Sequence, residues 1–387
     1  MTPQIKIGFD AKRAVLNDTG LGNYSRRVIE ELSQAEPSWQ FVLYSPRWRD
    51  GSRASSLLER GNVELALPDG AVWRRLSSLW RVRGGLSRQL RGDGVNLFHG
   101  LSNELPLDIH KFGVPSVVTI HDVIYRRCPD NYKAIDRNIY DYKYGRSAKN
   151  ATRVIAISER TKADIVELYD VDSEKIDVIY QSCSPEFSKP VGEEARARVK
   201  RSYGLPDRYI AMVGTLEPRK NQLLAVEAMT KIDPEVHLVI AGRPRQDYGD
   251  RIVRRVAELG LEKRVHLIPG VPFVDLPALY AMAELTAYTS RYEGFGLPVV
   301  EALSAGTPVI AATGSCLEEA GGRGGVYVHP DDVDGFASEA SRLLADATLR
   351  TTMVAEGRRH IAEITGDTAA SAVLRTYEKA FRAFGAE

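Results

Sequence analysis

Short runs of β-branched and aromatic residues alternate with amphipathic stretches of helical spacing along the chain, and that alternation points to one class of fold, α/β with parallel sheets. The first series of strand candidates covers 5–11, 40–45, 63–68, 96–101, 116–122, 153–158 and 175–181. Residues 184–207 break the rhythm with two prolines, a charged helix and a further Gly/Pro turn. A second series then runs through 209–215, 237–242, 265–270, 285–290, 308–313 and 325–330. A chain of 387 residues, 43% of them hydrophobic, is too long for one ordinary core and suits two. We therefore expect two Rossmann-like, doubly wound domains facing a cleft, residues 1–184 and 208–366, joined by a linker at 185–207. After residue 333 the sequence reads as almost wholly helical, and residues 367–387 are expected as a C-terminal helix that returns to brace the first domain.

The 52 Lys and Arg residues nearly balance the 51 Asp and Glu residues, so no global field selects a polyanion and nucleic acid is not an expected partner. Cys128, Cys183 and Cys316 are odd in number, far apart and without metal-ligand spacing, which reads as free thiols in a reducing compartment, the cytoplasm. The N-terminus enters a strand pattern directly, and no apolar run approaches the ~20 residues that span a bilayer, so the expectation is a protein neither secreted nor integral.

The segment SRYEGFGLPVVEALSAGTPVIAA (290–312) carries most of the chemistry. Pro298 suits the first turn of a helix and Gly306 its C-terminal cap, which predicts a helix over 298–305. Gly294 and Gly296 stand just before it, so the backbone of the loop and first turn (Gly294, Phe295, Gly296, Leu297) can approach a phosphate at the positive end of the helix dipole. Glu293 at the loop entrance and Glu301 on the helix are placed to border one pocket as hydroxyl acceptors. On helix logic alone, a capped helix with a surface glutamate fits equally well.

The string EGFGLPVVEALSAGTPVI closely resembles the signature of retaining GT-B glycosyltransferases of family 4, the group 1 glycosyltransferases, with two glutamates separated by seven residues. The resemblance implies that Glu293 lies by the donor sugar and Glu301 binds the ribose hydroxyls. VGTLEPRKN (213–221) is similar to the family's loop after the first strand of the second domain, through Gly214 and Thr215 to Arg219 and Lys220, which the resemblance places on the diphosphate. Fixed cations there would stabilise the departing nucleoside diphosphate without a metal or other cofactor. A surface Arg-Lys pair is the alternative. TGLGNYSRRVIEEL (19–32) resembles the family's glycine loop, with Gly20 and Gly22 near the donor phosphates and acceptor. TIHDVIY (119–125) puts His121 at the carboxyl end of a strand, where the resemblance gives it the donor sugar and where open α/β sheets hold ligands. Residues 156–181 resemble the family's serine-capped helix and strand at the end of the first domain. The family's closing segment is also recognisable, although Ile364-Thr365-Gly366-Asp367 stands where an aromatic residue is usual.

Rival chemistries find less support. Metal-dependent transfer needs a carboxylate pair on a divalent cation, and the two Asp-Val-Asp strings, Asp170–Asp172 and Asp332–Asp334, read as turn and helix cap. Gly20-Leu21-Gly22-Asn23-Tyr24-Ser25 lacks the third glycine of a dinucleotide fingerprint. A nucleotide-sugar epimerase or a non-catalytic sugar-nucleotide binder of the same fold stays open.

The resemblance is to bacterial mannosyltransferases of O-antigen, capsule and exopolysaccharide assembly, which implies a hexose donor of GDP-mannose type, with a UDP-sugar as the alternative, and a glycan or lipid-linked acceptor. Residues 72–91 carry six arginines, two tryptophans and no acidic residue, with Leu76, Leu79, Val82 and Leu86 at helical spacing. They read either as a core-packed helix with a basic outer face or as a peripheral contact with an anionic membrane at the inner face of the plasma membrane.

Overall fold

The computed structural model describes residues 5–245, 247–366 and 369–385, in two compact units, residues 1–181 with 367–387 and residues 182–366. The expected domain boundary at 367, with Asp367 itself, lies outside the described residues, as do the ends of the first and last segments at 1–4 and 386–387.

The first unit holds seven strands: β1 (Lys6–Asp10), β2 (Gln40–Tyr44), β3 (Val63–Ala66), β4 (Leu97–Gly100), β5 (Ser116–Ile120), β6 (Arg153–Ala156) and β7 (Ile176–Val178). They pair in parallel in the order β3-β2-β1-β4-β5-β6-β7. Parallel strands are covered on both faces, so alternate residues serve separate cores. Phe41 and Leu43 join Ile7, Phe9 and Val117 on one face, while Val42 and Tyr44 join Phe98, Val118 and Trp80 on the other. The helix Ala369–Gly385 completes the first face, burying Ala370, Val373, Tyr377 and Ala380 there. Its Tyr377 hydroxyl meets His99 Nδ1 at 2.8 Å, and Lys379 pairs with Asp177 at 2.6 Å. His99 Nε2 meets the Thr119 hydroxyl at 2.8 Å, and complete burial lowers its pKa to about 3, so the ring is neutral. Ser158 caps the helix Glu159–Tyr169, accepting from Thr161 N at 3.0 Å.

Residues 72–91 are not one helix but three short ones, Gly70–Arg75, Ser77–Val82 and Gly85–Gly92. Gly84 turns the chain at φ +81°, and a Cβ on Gly85 would lie 2.4 Å from the Trp80 ring. The expected apolar face divides at this break. Leu86 and Trp80 are fully buried, with Trp80 Nε1 donating to Gln89 Oε1 at 3.1 Å, whereas Leu76 is 49% and Leu79 50% exposed.

The second unit holds β8 (Tyr209–Val213), β9 (His237–Ala241), β10 (Val265–Ile268), β11 (Leu285–Tyr288), β12 (Val309–Ala312) and β13 (Gly325–Val328), parallel in the order β10-β9-β8-β11-β12-β13. Residues 185–207, expected as a linker, include the turn Pro185–Ser188 and the helix Glu193–Tyr203, and Val199 and Leu205 are buried with Tyr209 and Ala241. Asp332 accepts from Gly335 N at 2.7 Å to cap the helix Val333–Ala345. Asp170 closes the helix Glu159–Tyr169 in the left-handed region, and Asp172 accepts from Glu174 N at 2.9 Å.

Candidate functional site

In each sheet the chain builds outward from one strand and then returns to that strand's other side, which opens a crevice at the carboxyl ends of the two strands at the reversal. In the second unit those strands are β8 and β11. The loop after β8 supplies Gly214 to Lys220, and the loop after β11 supplies Thr289 to Gly296. Arg219 and Lys220 sit in the short turn Pro218–Lys220, closed by Asn221 in the left-handed region at φ +55°. Two bonds hold that turn against the opposite loop: Arg291 N donates to Arg219 O at 2.8 Å, and the Thr289 hydroxyl donates to Lys220 O at 3.0 Å.

Four donors converge on one oxygen, Glu293 Oε1: Arg219 Nη1 at 2.7 Å, Lys220 Nζ at 2.5 Å, the Ser290 hydroxyl at 2.5 Å and the Tyr288 hydroxyl at 3.2 Å. Burial pushes this carboxyl up, but Lys220 and Arg219 outweigh it and hold the pKa down to about 2. Lys220 also lies 4.8 Å over the Tyr288 ring, and burial pulls its pKa below the ordinary lysine value. Arg219 donates further to Tyr292 O at 2.6 Å and to Glu217 Oε1 at 2.6 Å. The basic pair is therefore not a surface dipeptide: the side chains of Arg219 and Lys220 are only 11% and 14% exposed.

Glu301 has a different setting. It accepts one bond, from the Tyr280 hydroxyl at 3.3 Å, and burial raises its pKa to about 7. Among the described residues no cation pairs with it.

The helix over 298–305 is found at Leu297–Ala305, with Gly306 closing it at φ +95°. Gly296 precedes it at φ +106°, and a Cβ there would lie 2.6 Å from Leu317 Cδ2, so both conformation and packing demand glycine. As the N-cap residue, Gly296 brings no side chain to the first turn. Gly294 is buried, Phe295 is buried in the core, and Leu297 is half-buried, so these residues offer backbone rather than side chains to a ligand. Gly214 leaves open space beside it, and Thr215 is exposed, its carbonyl accepting from Gln222 Nε2 at 3.0 Å.

The first unit holds the remaining candidates. His121 is buried, with Nε2 donating to Leu101 O at 2.9 Å and Nδ1 accepting from Gln181 Nε2 at 3.0 Å. Burial lowers its pKa to about 4, so the ring is neutral and both nitrogens are engaged. Gly20 opens the helix Gly20–Ala35 with free space at its Cβ position. Gly22 is required for another reason: a Cβ would lie 1.9 Å from Asn17 O. The sequence reading missed Tyr288, Ser290, Glu217 and Tyr280. Tyr288 and Ser290 had a usable signal, since they end or follow a strand at the reversal.

Comparison with known proteins gives the family and the fold. Residues 19–187 match the family described as Glycosyltransferase Family 4, and residues 195–360 the family described as Glycosyl transferases group 1. The chain is 33% identical over 252 residues to a D-inositol 3-phosphate glycosyltransferase of Salinispora arenicola, covering 61% of this chain and 56% of that one, so it spans little more than half that relative's length. It is 27% identical over 292 residues to O-antigen chain mannosyltransferase B of Escherichia coli, covering 73% and 74%. Its fold is similar to that of Anabaena Alr3699/HepE in complex with UDP, with a TM-score of 0.74 at 18% identity over 97% of this chain and 99% of that one.

Proposed function

We infer, since the chain belongs to the group 1 glycosyl transferases of family 4 and has their GT-B fold, that it is a retaining, metal-independent glycosyltransferase, moving a hexose from a nucleoside diphosphate to a hydroxyl of a glycan or lipid-linked acceptor in bacterial surface polysaccharide synthesis. The observation that carries this reading is the crevice between β8 and β11, where Arg219 and Lys220 are fixed on Glu293 beside a helix whose N-cap residue, Gly296, has no side chain.

In this reading the diphosphate lies on the amides after Gly296 and on Lys220 and Arg219, and Glu301 receives the ribose hydroxyls. The bond from the sugar's anomeric carbon to the phosphate oxygen breaks as the acceptor oxygen bonds to the same face. Glu293, held near a pKa of 2, is too weak a base to take the acceptor's proton at neutral pH, so the proton leaves on the departing phosphate. Charge that develops on that phosphate meets cations already in position, and no reorganisation is needed at the moment of reaction. His121 contributes as a neutral, oriented group rather than as an acid or base.

GDP-mannose is the favoured donor, supported by the mannosyltransferase relative. A UDP-sugar is the second reading, supported by the UDP complex of the Anabaena protein. A panel of nucleotide sugars, scored for thermal stabilisation and for slow release of nucleoside diphosphate in EDTA, tests both. GDP-mannose is expected to raise Tm most. Stabilisation by UDP-sugars alone selects the second reading, and no response to any donor overturns the transferase assignment. The exposed Val72, Leu76 and Leu79 beside Arg74, Arg75 and Arg83 support a reversible contact with an anionic bilayer.

A further inference from the structure

The reversal in the first sheet lies between β1 and β4, and the groups gathered there are charged. Asp10 ends β1, and Glu104 follows β4, whose last residue, Gly100, must be glycine because a Cβ would lie 2.2 Å from Glu104 O. Arg81, from the helix Ser77–Val82, spans the crevice, pairing with Asp10 Oδ2 at 2.6 Å and with Glu104. Lys143 approaches Glu104 at 3.6 Å. These four groups neutralise one another.

Two cations at the same strand end remain. Lys12 and Arg13 follow β1 directly and are half-buried, and among the described residues neither side chain donates a hydrogen bond or forms an ion pair. Asp122, the other carboxylate at a neighbouring strand end, is turned onto Ile124 N at 3.1 Å. Counting it, the four cations Arg81, Lys143, Lys12 and Arg13 outnumber the three carboxylates Asp10, Glu104 and Asp122 around these strand ends, a positive surplus. Burial, followed by the nearby Arg81, lowers the Lys12 pKa, a strain that a bound anion relieves.

We propose that Lys12 and Arg13 bind a phosphate group carried by the acceptor, seating it in the crevice between β1 and β4. The inference rests on the transferase reading and narrows its acceptor to a phosphate ester. The helix that sends Arg81 into the crevice turns Leu79 outward, with Leu76 just before it, so an apolar chain attached to that phosphate has a surface beside it.

The test saturates the protein with UDP or GDP, whichever the donor panel selects, and then adds glycerol 3-phosphate, or phosphatidylcholine vesicles with and without phosphatidic acid, at physiological salt. Binding that Lys12→Ala and Arg13→Ala each weaken by about tenfold or more, with Tm and nucleotide affinity unchanged, supports the proposal. Lys12→Gln, which retains the side-chain bulk, is expected to weaken binding likewise and guards against a folding defect. Response to glycerol 3-phosphate assigns a soluble phosphate ester, and response to phosphatidic acid alone assigns a lipid phosphate. Phosphate binding that survives both substitutions, or no binding of either probe by the wild-type protein, overturns it. The nucleotide titration reads the second unit separately: if nucleotide fails to bind, the donor reading fails, while the dependence of phosphate binding on Lys12 and Arg13 is still measured.

Discussion

Lys220 and Glu293 form a buried ion pair, 2.5 Å from Nζ to Oε1, between the two loops that border the crevice of the second sheet. Lys220→Ala leaves the carboxylate buried with Arg219, Ser290 and Tyr288 as its remaining donors. The expected cost is about 2–3 kcal/mol, below the usual cost of breaking a buried pair because those donors stay in place. Denaturant unfolding measures it. An unchanged midpoint would show that Arg219, Ser290 and Tyr288 satisfy the buried carboxylate without the lysine.

Glu293→Gln is expected to lower turnover by tenfold or more, on the order of one lost charged hydrogen bond, without weakening the free nucleoside diphosphate. The substitution releases Lys220 and Arg219 toward the phosphates and removes only the proposed contact with the sugar. The acid limb of stability should change as well. With a folded pKa of about 2 against an ordinary 4.5, Glu293 stabilises the fold above pH 4.5 and loses that contribution as pH falls toward 2. Glu293→Gln should lack this limb in a pH series of unfolding midpoints.

Glu301 predicts the opposite sign. Its pKa of about 7 means that the free protein carries a proton there below neutrality, whereas ribose hydroxyls require the carboxylate as acceptor. Nucleoside diphosphate affinity is therefore expected to rise with pH from 6 to 8, with proton release on binding, and apo stability to fall as pH rises from 4.5 to 7. Calorimetry in two buffers of different ionisation enthalpy reads the proton directly. Glu301→Gln should flatten the profile and weaken binding at pH 8 by about 1.5–3 kcal/mol.

Tyr377→Phe removes the hydroxyl that satisfies His99 Nδ1 in a fully buried site. We expect a loss of about 1–3 kcal/mol, the cost of a stranded polar group, read by chemical denaturation of the whole chain. A change within a few tenths of a kcal/mol would show that His99 finds another partner.

Leu76→Glu and Leu79→Glu should abolish co-sedimentation with anionic vesicles at low salt while leaving Tm within a degree or two, since both side chains are half exposed. Trp80 cannot serve as an anchor, being sealed under the break at Gly84. Binding that survives both substitutions points to arginine charge alone.

The strands were legible because parallel pairing buries both faces: VIA at 154–156 and LVIA at 238–241 read as continuous apolar runs. The helix after Gly296 was legible from its punctuation, Pro298 near the start and Gly306 at the end. What the sequence could not supply was pairing across a sheet. Lys220 and Glu293 lie 73 residues apart, and His99 and Tyr377 lie 278 apart. Periodicity places each residue on its element and says nothing of which residue it meets. The break in 72–91 had a signal, Gly84-Gly85, that the helical spacing of its leucines masked.

The helix Ala369–Gly385 closes the core around Phe9, Val117 and Ile155, and this has a consequence for biosynthesis. A ribosome delivers every strand of the first unit early but the helix only after the second unit has been made. Until then that apolar face is covered only in part, by the helix Gly20–Ala35 among others, and the portion that the last helix buries is open to chaperones or to aggregation. The second unit, contiguous in sequence, is free to fold first. A message truncated near codon 366 would yield all seven strands of the first sheet and still leave it unable to reach its native state.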